Sequence, residues 1–463
     1  MSSNKIHFEI SERKMILYLF DLFFVWIWLF LTSYFFKLDY LETVATQLTA
    51  ALVLGFYLSI FGIIFEMYKL QVASNQFLIV RSTILTTTTT AFVYLLTPVF
   101  SPVLPSNRLQ ILTFFLVLFI SLMAWRLFYV RFLASNRFLQ TAVLICENYK
   151  VEELILGLEN IDPHYKIIGY VSIDEIELDH TRNHYVEQIE RNNLAAFVKK
   201  HKVAEIVVAT QRTDGITTTL YQQLLHLLES GKIIREYTQV YESKTQRIPT
   251  HYMASDFYSF FPFSRSNQNK LYLATVRIIE IQLALVGLAV GILVLPLVLI
   301  GNAIGNRGHL FYRQKRVGKD GVVFYILKLR TMIVNAEVNG AVFTTVNDTR
   351  ITRFGKFLRK ARIDEIPQCI NILKGEMAVV GPRPERPNFV KEIAERMPFY
   401  ETRHIIKPGL TGWAQVNYSY GETIEDSLIK LQYDLYYIKH RSFYLDLNIA
   451  LKTITTVLFY RGQ

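Results

Sequence analysis

The chain has 463 residues, 51% of them hydrophobic and 14% aromatic, with a formal charge of +11. That length suits two or three domains of roughly 100 to 200 residues each, and so large an apolar fraction argues against a wholly soluble protein and for a membrane component. With this many apolar runs the positive balance favours lipid headgroups and phosphorylated substrates over nucleic acid. Two isolated cysteines, Cys146 and Cys369, exclude a disulfide framework or a zinc site and suit reduced cytoplasmic domains.

Four stretches of membrane-spanning length come first, at residues 15–36, 43–65, 82–100 and 109–125. No small-residue cleavage site follows the first, so it reads as retained. The third carries the polar run 86–90, whose hydroxyls must bond back to the helix or to a neighbour. Lys5, Arg13, Lys14, Lys69, Arg81, Arg126, Arg131 and Arg137 fall on one alternating side, against Lys37 and Arg108 on the other. The positive-inside rule therefore places both ends of the bundle in the cytoplasm. Asp21, near the start of the first stretch, reads as structural.

From about residue 139 to 241 the pattern changes. TAVLICE, YKIIGYVSI and VAEIVVAT read as parallel strands, and VEELILGLENI, VEQIERNNLAAFVKK and TTLYQQLLHLLES as the helices covering them. The expectation is a small doubly wound, Rossmann-like domain. Glu147-Asn148-Tyr149-Lys150 follows the first strand where a dinucleotide site needs glycines, which favours a scaffolding or oligomer-forming role over nucleotide sensing.

A fifth apolar segment, residues 281–300, is long enough to span. Pro296 predicts a sharp break inside it, and both flanks are basic: Lys270 and Arg277 before, Arg307, Arg313, Lys315 and Arg316 after. A helix that enters, bends at Pro296 and returns to the same face is the preferred reading, and a plain span the alternative. Beyond it the chain reads as mixed α/β, with a hairpin at 311–327 turning on Gly318-Lys319-Asp320-Gly321 and helices at 351–361, 366–373 and 446–459, the last with an apolar face suited to a membrane surface.

The charged centre of this region is RKARIDEIPQCINILKGEMAVVGPRPER, which sets Asp364 and Glu365 between Arg359, Arg362, Arg383 and Arg386. A carboxylate nucleophile or Mg²⁺ ligand among guanidinium groups suits a phosphate-bearing substrate. A solvated charged helix end is the bland alternative. Pro367 predicts that the pair stands at a helix N-terminus, where the dipole favours an anion. Pro382 and Pro384 fix the backbone around Arg383, which lowers the entropy lost when it clamps a phosphate. Lys328 and Arg330 alternate along a predicted strand and so share a face. Trp413 reads as a packing anchor.

Four segments, RGHLFYRQKRVGKDGVVFYILKLRTM (307–332), NDTRITRFGKFLRKARIDEIPQ (347–368), VVGPRPERP (379–387) and KPGLTGWAQVN (407–417), resemble the bacterial sugar transferases of the polyprenyl-phosphate hexose-1-phosphate transferase family. The resemblance runs from about residue 271 to the C-terminus. It implies a four-helix transmembrane domain (1–135), a Rossmann-like cytoplasmic domain (136–250) and a mixed α/β catalytic domain (265–463) with a re-entrant helix at about 273–302. It implies transfer of a hexose-1-phosphate from a UDP-sugar to undecaprenyl phosphate at the cytoplasmic face of the inner membrane. Asp364 becomes the nucleophile that forms a covalent phosphosugar-enzyme, with Glu365 its partner in holding Mg²⁺. Lys328, Arg330, Arg359, Arg362, Arg383, Arg386 and Asp434 become substrate or phosphate ligands, and a homodimer is expected. Glu280, Leu295, His309 and Leu329 depart from the family pattern without touching the Asp-Glu pair. Against a UDP-releasing glycosyltransferase stands the lack of any D-x-D metal motif. Against a sensor protein stand the missing glycines.

Overall fold

The computed structural model describes residues 10–68, 70–73, 76–98, 100–105, 107–133, 140–159, 165–174, 186–210, 216–250, 265–334, 336, 348–397, 399–418 and 423–458. It divides into two compact units, residues 1–245 and 246–463.

Among the described residues of the first unit three helices have the length and apolar character to cross a membrane: Lys14–Phe36, Leu78–Leu96 and Arg108–Arg131. The stretch expected at 43–65 is a bent pair, Asp39–Thr46 and Leu48–Ile64, with axes 86° apart. The cause lies in the sequence. Asp39, Glu42, Thr43 and Thr46 make the first arm amphipathic, with Tyr40, Leu41, Val44 and Ala45 on its buried face, and Gln47 turns the chain in an extended conformation. Most of the expected span is thus the apolar helix Leu48–Ile64, and only the first residues of that span belong to the amphipathic arm.

Arg126, counted above among the flanking cations, is a correction. It is fully buried, pairs with buried Asp21 and donates to Met67 O at 3.1 Å. It therefore locks two helices together and carries no topological charge. Lys5, Lys69 and Arg137 lie outside the described residues. Within the polar run Thr87 bonds back to Thr83 O at 2.8 Å, whereas the buried Thr86 and Thr90 hydroxyls have no partner.

The same unit carries a five-stranded parallel sheet of β1 (Gln140–Cys146), β2 (Tyr165–Ser172), β3 (Glu187–Gln188), β4 (Glu205–Val208) and β5 (Ile233–Glu236), in the order β3-β2-β1-β4-β5. The sequence reading contained three of these. β3 opens the segment read as helix, whose α-helical part is only Leu194–Lys200, and β5 is a four-residue edge strand that carries no alternation.

The second unit is organised on the helix Lys270–Gly301, capped at its start by the Asn269 side chain, which accepts from Leu271 N and Tyr272 N. No break occurs at Pro296. The helical pattern continues through it to Gly301 and passes into a π-turn, Asn302–Asn306. One face of this helix is exposed and apolar, with Val286, Ile292, Leu293 and Leu297 outward. The other meets the helix Gln368–Lys374 through glycines: a Cβ on Gly287 would lie 2.7 Å from Cys369 Sγ, and one on Gly291 2.8 Å from Ile366 Cγ2. The antiparallel hairpin β6 (Phe311–Val317) and β7 (Val323–Leu329) turns at Lys319–Gly321 as expected. Asn371 ties it down by accepting from Leu327 N at 3.0 Å and donating to Tyr325 O at 2.8 Å.

Replacing Asp21 by alanine strands a buried guanidinium. Thermal and denaturant unfolding in detergent should show a loss of about 3–5 kcal/mol, with the additional change Arg126→Leu restoring most of it.

Candidate functional site

The helix Arg353–Lys360 ends at Ala361, Arg362 takes a left-handed conformation (φ 57°), and a single 3₁₀ turn, Ile363–Glu365, precedes Gln368–Lys374. A left-handed arginine is costly and reverses the chain sharply. Asp364 and Glu365 therefore stand in a tight turn between two short helices, one step ahead of the expected helix N-terminus, with Pro367 at its cap. Ile363 packs with Val294, Val298, Leu329 and Leu358, and Ile366 fills the space left by Gly291. The turn is thus pressed against the long apolar helix.

Both carboxylates are buried. Glu365 Oε1 accepts from Lys328 at 3.2 Å and from Arg383 at 3.4 Å, and its Oε2 from Arg362 at 3.3 Å. Burial alone would push this carboxyl up, but Lys328, Arg383 and Arg362 outweigh it and hold it well below the usual carboxylate range. Asp364 shifts the other way. Burial and the charge of Glu365 raise it, and Lys328, Arg359 and Arg362 offset only part of this. Its Oδ1 is buried without a hydrogen-bond partner. Two adjacent carboxylates are thereby given different characters: a fixed anion, and a more basic group with a bare oxygen.

Lys328, Arg359, Arg362 and Arg383 gather at the pair, Arg359 also donating to Thr331 Oγ1 at 2.9 Å. Three other expected residues sit elsewhere. β7 ends at Leu329, so Arg330 does not share the Lys328 face; it donates to Asn306 O at 3.0 Å and His309 O at 2.8 Å, closing the end of the long helix. Arg386 lies over the Phe389 ring at 5.8 Å. Asp434 acts through another residue: it accepts from buried Arg403 at 2.7 Å, and Arg403 donates to Arg383 O at 2.9 Å and to Tyr400 Oη at 2.6 Å. Burial pushes Asp434 up to about 6 despite that arginine. Arg403 was not legible in the sequence, because a single arginine in ETRHIIKPG carries no pattern.

The motifs around 379–387 and 407–417 meet backbone to backbone. β8 (Ala378–Val380) runs parallel to β9 (Gly409–Thr411). A Cβ on Gly409 would fall 2.1 Å from Gly381 N, and one on Gly412 2.2 Å from Gly381 O. Trp413 follows as a buried anchor, its Nε1 donating to Gln246 O at 3.1 Å.

A divalent cation fits the donor chemistry in a restricted way. Mg²⁺ commonly takes one or two carboxylates and completes its shell with water and substrate phosphates. Asp364 Oδ1 is a buried oxygen without a partner, while Glu365 is already engaged by three cations. Among the described residues no group of three or more His, Cys, Asp or Glu could hold a metal by itself.

A buried carboxylate pair ringed by cations beside a long apolar helix marks the second unit as a membrane-associated domain with a charged centre. A family model described as bacterial sugar transferase matches residues 271–460, and the chain belongs to that family. It is 48% identical over 151 residues to the UDP-N-acetylgalactosamine-undecaprenyl-phosphate N-acetylgalactosaminephosphotransferase of Aeromonas hydrophila, covering 33% of this chain and 36% of that one. It is 38% identical over 203 residues to the UDP-glucose:undecaprenyl-phosphate glucose-1-phosphate transferase of Xanthomonas campestris pv. campestris, covering 43% and 40%. To a putative undecaprenyl-phosphate N-acetylgalactosaminyl 1-phosphate transferase of Bacillus subtilis it is 42% identical over 141 residues, covering 30% of this chain and 79% of that one. The matched region thus spans well under half of the first two relatives.

Gly409→Ala forces a methyl group into the backbone of Gly381. A stability loss of about 1–3 kcal/mol, read by thermal unfolding, should accompany a fall in turnover as Arg383 shifts.

Proposed function

We propose that this chain transfers a hexose-1-phosphate from a UDP-sugar to undecaprenyl phosphate, releasing UMP. The observation that carries this reading is the division of roles in the buried pair: Glu365 held by Lys328, Arg362 and Arg383, and Asp364 raised and bare at Oδ1. An Asp364 oxygen attacks the phosphorus bearing the sugar, an aspartyl–phosphorus bond forms, and the diphosphate bond breaks with its bridging oxygen leaving on UMP. The polyprenyl phosphate oxygen then attacks the same phosphorus and returns Asp364 as a carboxylate. Lys328, Arg362 and Arg383 exchange part of their contact with Glu365 for phosphate oxygens as substrate enters. Asp364, with Glu365 behind it, would hold Mg²⁺, which when bound neutralises charge on the diphosphate.

The long helix seated in the inner membrane, with the carboxylate pair on the cytoplasmic side, fits this chemistry. Arg277 near its start donates to Ile372 O and Leu373 O, and Gly301 and Gly305 at its far end pack on Phe354, so both ends meet the same unit. The parallel sheet of the first unit then serves as a Rossmann-like scaffold for a homodimer. A UDP-releasing glycosyltransferase is distinguished by its product.

With radiolabelled UDP-sugar, the wild-type chain should form a covalent adduct and release UMP, and Asp364→Asn should abolish both; label retained by that variant refutes the nucleophile. Asp364 must be deprotonated to attack, so activity should fall as pH drops through a value above the ordinary aspartate range of about 4. Arg359→Gln removes a charge that lowers the Asp364 pKa, so the acid limb of kcat/KM should move to higher pH, and an unmoved or lower limb contradicts the assignment.

A further inference from the structure

Lys407, the lysine of the KPG motif, has no part in the reaction above and makes no hydrogen bond or ion pair among the described residues. A Cβ placed on Gly375 would lie 3.5 Å from Lys407 Nζ and 3.8 Å from an Arg277 terminal nitrogen, so two cations converge where the helix Gln368–Lys374 ends. Arg277 is fixed there by Ile372 O at 2.7 Å and Leu373 O at 2.9 Å. Lys319 and Arg441 also bear on Lys407, and Arg441 lies over the Tyr272 and Tyr437 rings at 5.5 and 5.9 Å.

The local acids are bonded to other groups. Glu280 is 3.4 Å from Arg277 and attracts Lys407 only from beyond bonding distance, Asp320 is 3.8 Å from Lys319, and Asp446 accepts from Tyr272 at 2.5 Å and Tyr437 at 2.6 Å. Three cations from three other segments therefore crowd one half-buried ammonium with no anion bonded to it, an arrangement that an incoming anion would relieve.

Position narrows the choice of anion. Tyr272 and Arg277 lie in the first turns of the long helix, which is apolar from Leu283 onward, and tyrosine beside cations is the side-chain chemistry of the lipid–water boundary. The catalytic pair precedes the N-terminus of Gln368–Lys374 and this cluster stands at its C-terminus, so the two sites are separate.

We propose that Lys407, Arg277, Lys319 and Arg441 form a second anion site, which takes a phosphate group presented at the lipid surface and so clamps the start of the long helix to the catalytic unit.

Native mass spectrometry of the detergent-solubilised full chain, with phosphatidylglycerol or phosphatidylcholine added, tests this without using turnover. The expected result is one retained phosphatidylglycerol per chain, held about tenfold more weakly by Lys407→Gln and unchanged by Lys391→Gln on an exposed helix face. Inorganic phosphate separates the sources: if it raises the melting temperature of the wild type but not of Lys407→Gln, while lipid retention is equal in both, the site takes free phosphate. Lys319→Gln, on an exposed turn, gives the same readouts should Lys407→Gln fail to fold. Equal lipid retention and equal phosphate response in wild type and both variants overturn the proposal.

Discussion

Two adjacent carboxylates held out of water next to an apolar helix are intolerable without compensating charge, and the second unit is built around supplying it. An unpaired buried carboxylate would take up a proton and lose its chemistry. The hairpin brings Lys328, the left-handed turn brings Arg362, and the proline-flanked loop brings Arg383, each from a different segment, to oxygens of Glu365. With that one anion satisfied, its neighbour Asp364 remains buried, basic and open at one oxygen. The asymmetry arises from placement, since both side chains belong to the same turn.

Placement in turn depends on contacts that exclude side chains. Gly287 and Gly291 let the turn and its helix press against the apolar helix, and Gly381, Gly409 and Gly412 let two loops lie backbone to backbone. Cβ atoms at these points would fall inside neighbouring atoms, so small residues here set the distance between the long apolar helix and the carboxylate pair.

Much of this was legible beforehand because it depends on local chemistry. The Asp-Glu pair, its arginines at 359, 362 and 383, and the hairpin with Lys328 all follow from residue type and short spacing. What escaped depended on where elements stop and on contacts distant in sequence. Arg330 differs from Lys328 only because β7 ends at Leu329. Arg126 looks like any cation flanking a span, and only the folded bundle sets it against Asp21. The second span starts with residues 43–46, which belong to an amphipathic helix that begins at Asp39, and hydropathy averaged over a window hides the turn at Gln47 that separates it from Leu48–Ile64. Pro296 was expected to break its helix, yet a proline costs one bond and a clash, and the helix tolerates it.

The Asp434–Arg403–Arg383 relay has a consequence for assembly. Arg383 is steadied by a residue about fifty positions further along, on the helix Ile424–His440, so the ring of cations around Glu365 is not complete until that helix has emerged from the ribosome and docked. By then the apolar helix that begins at Lys270 has long been synthesised and is able to enter lipid. Burial of the apolar helix can therefore precede completion of that ring, and a chain interrupted between these events would hold its carboxylate pair without the full set of counter-charges.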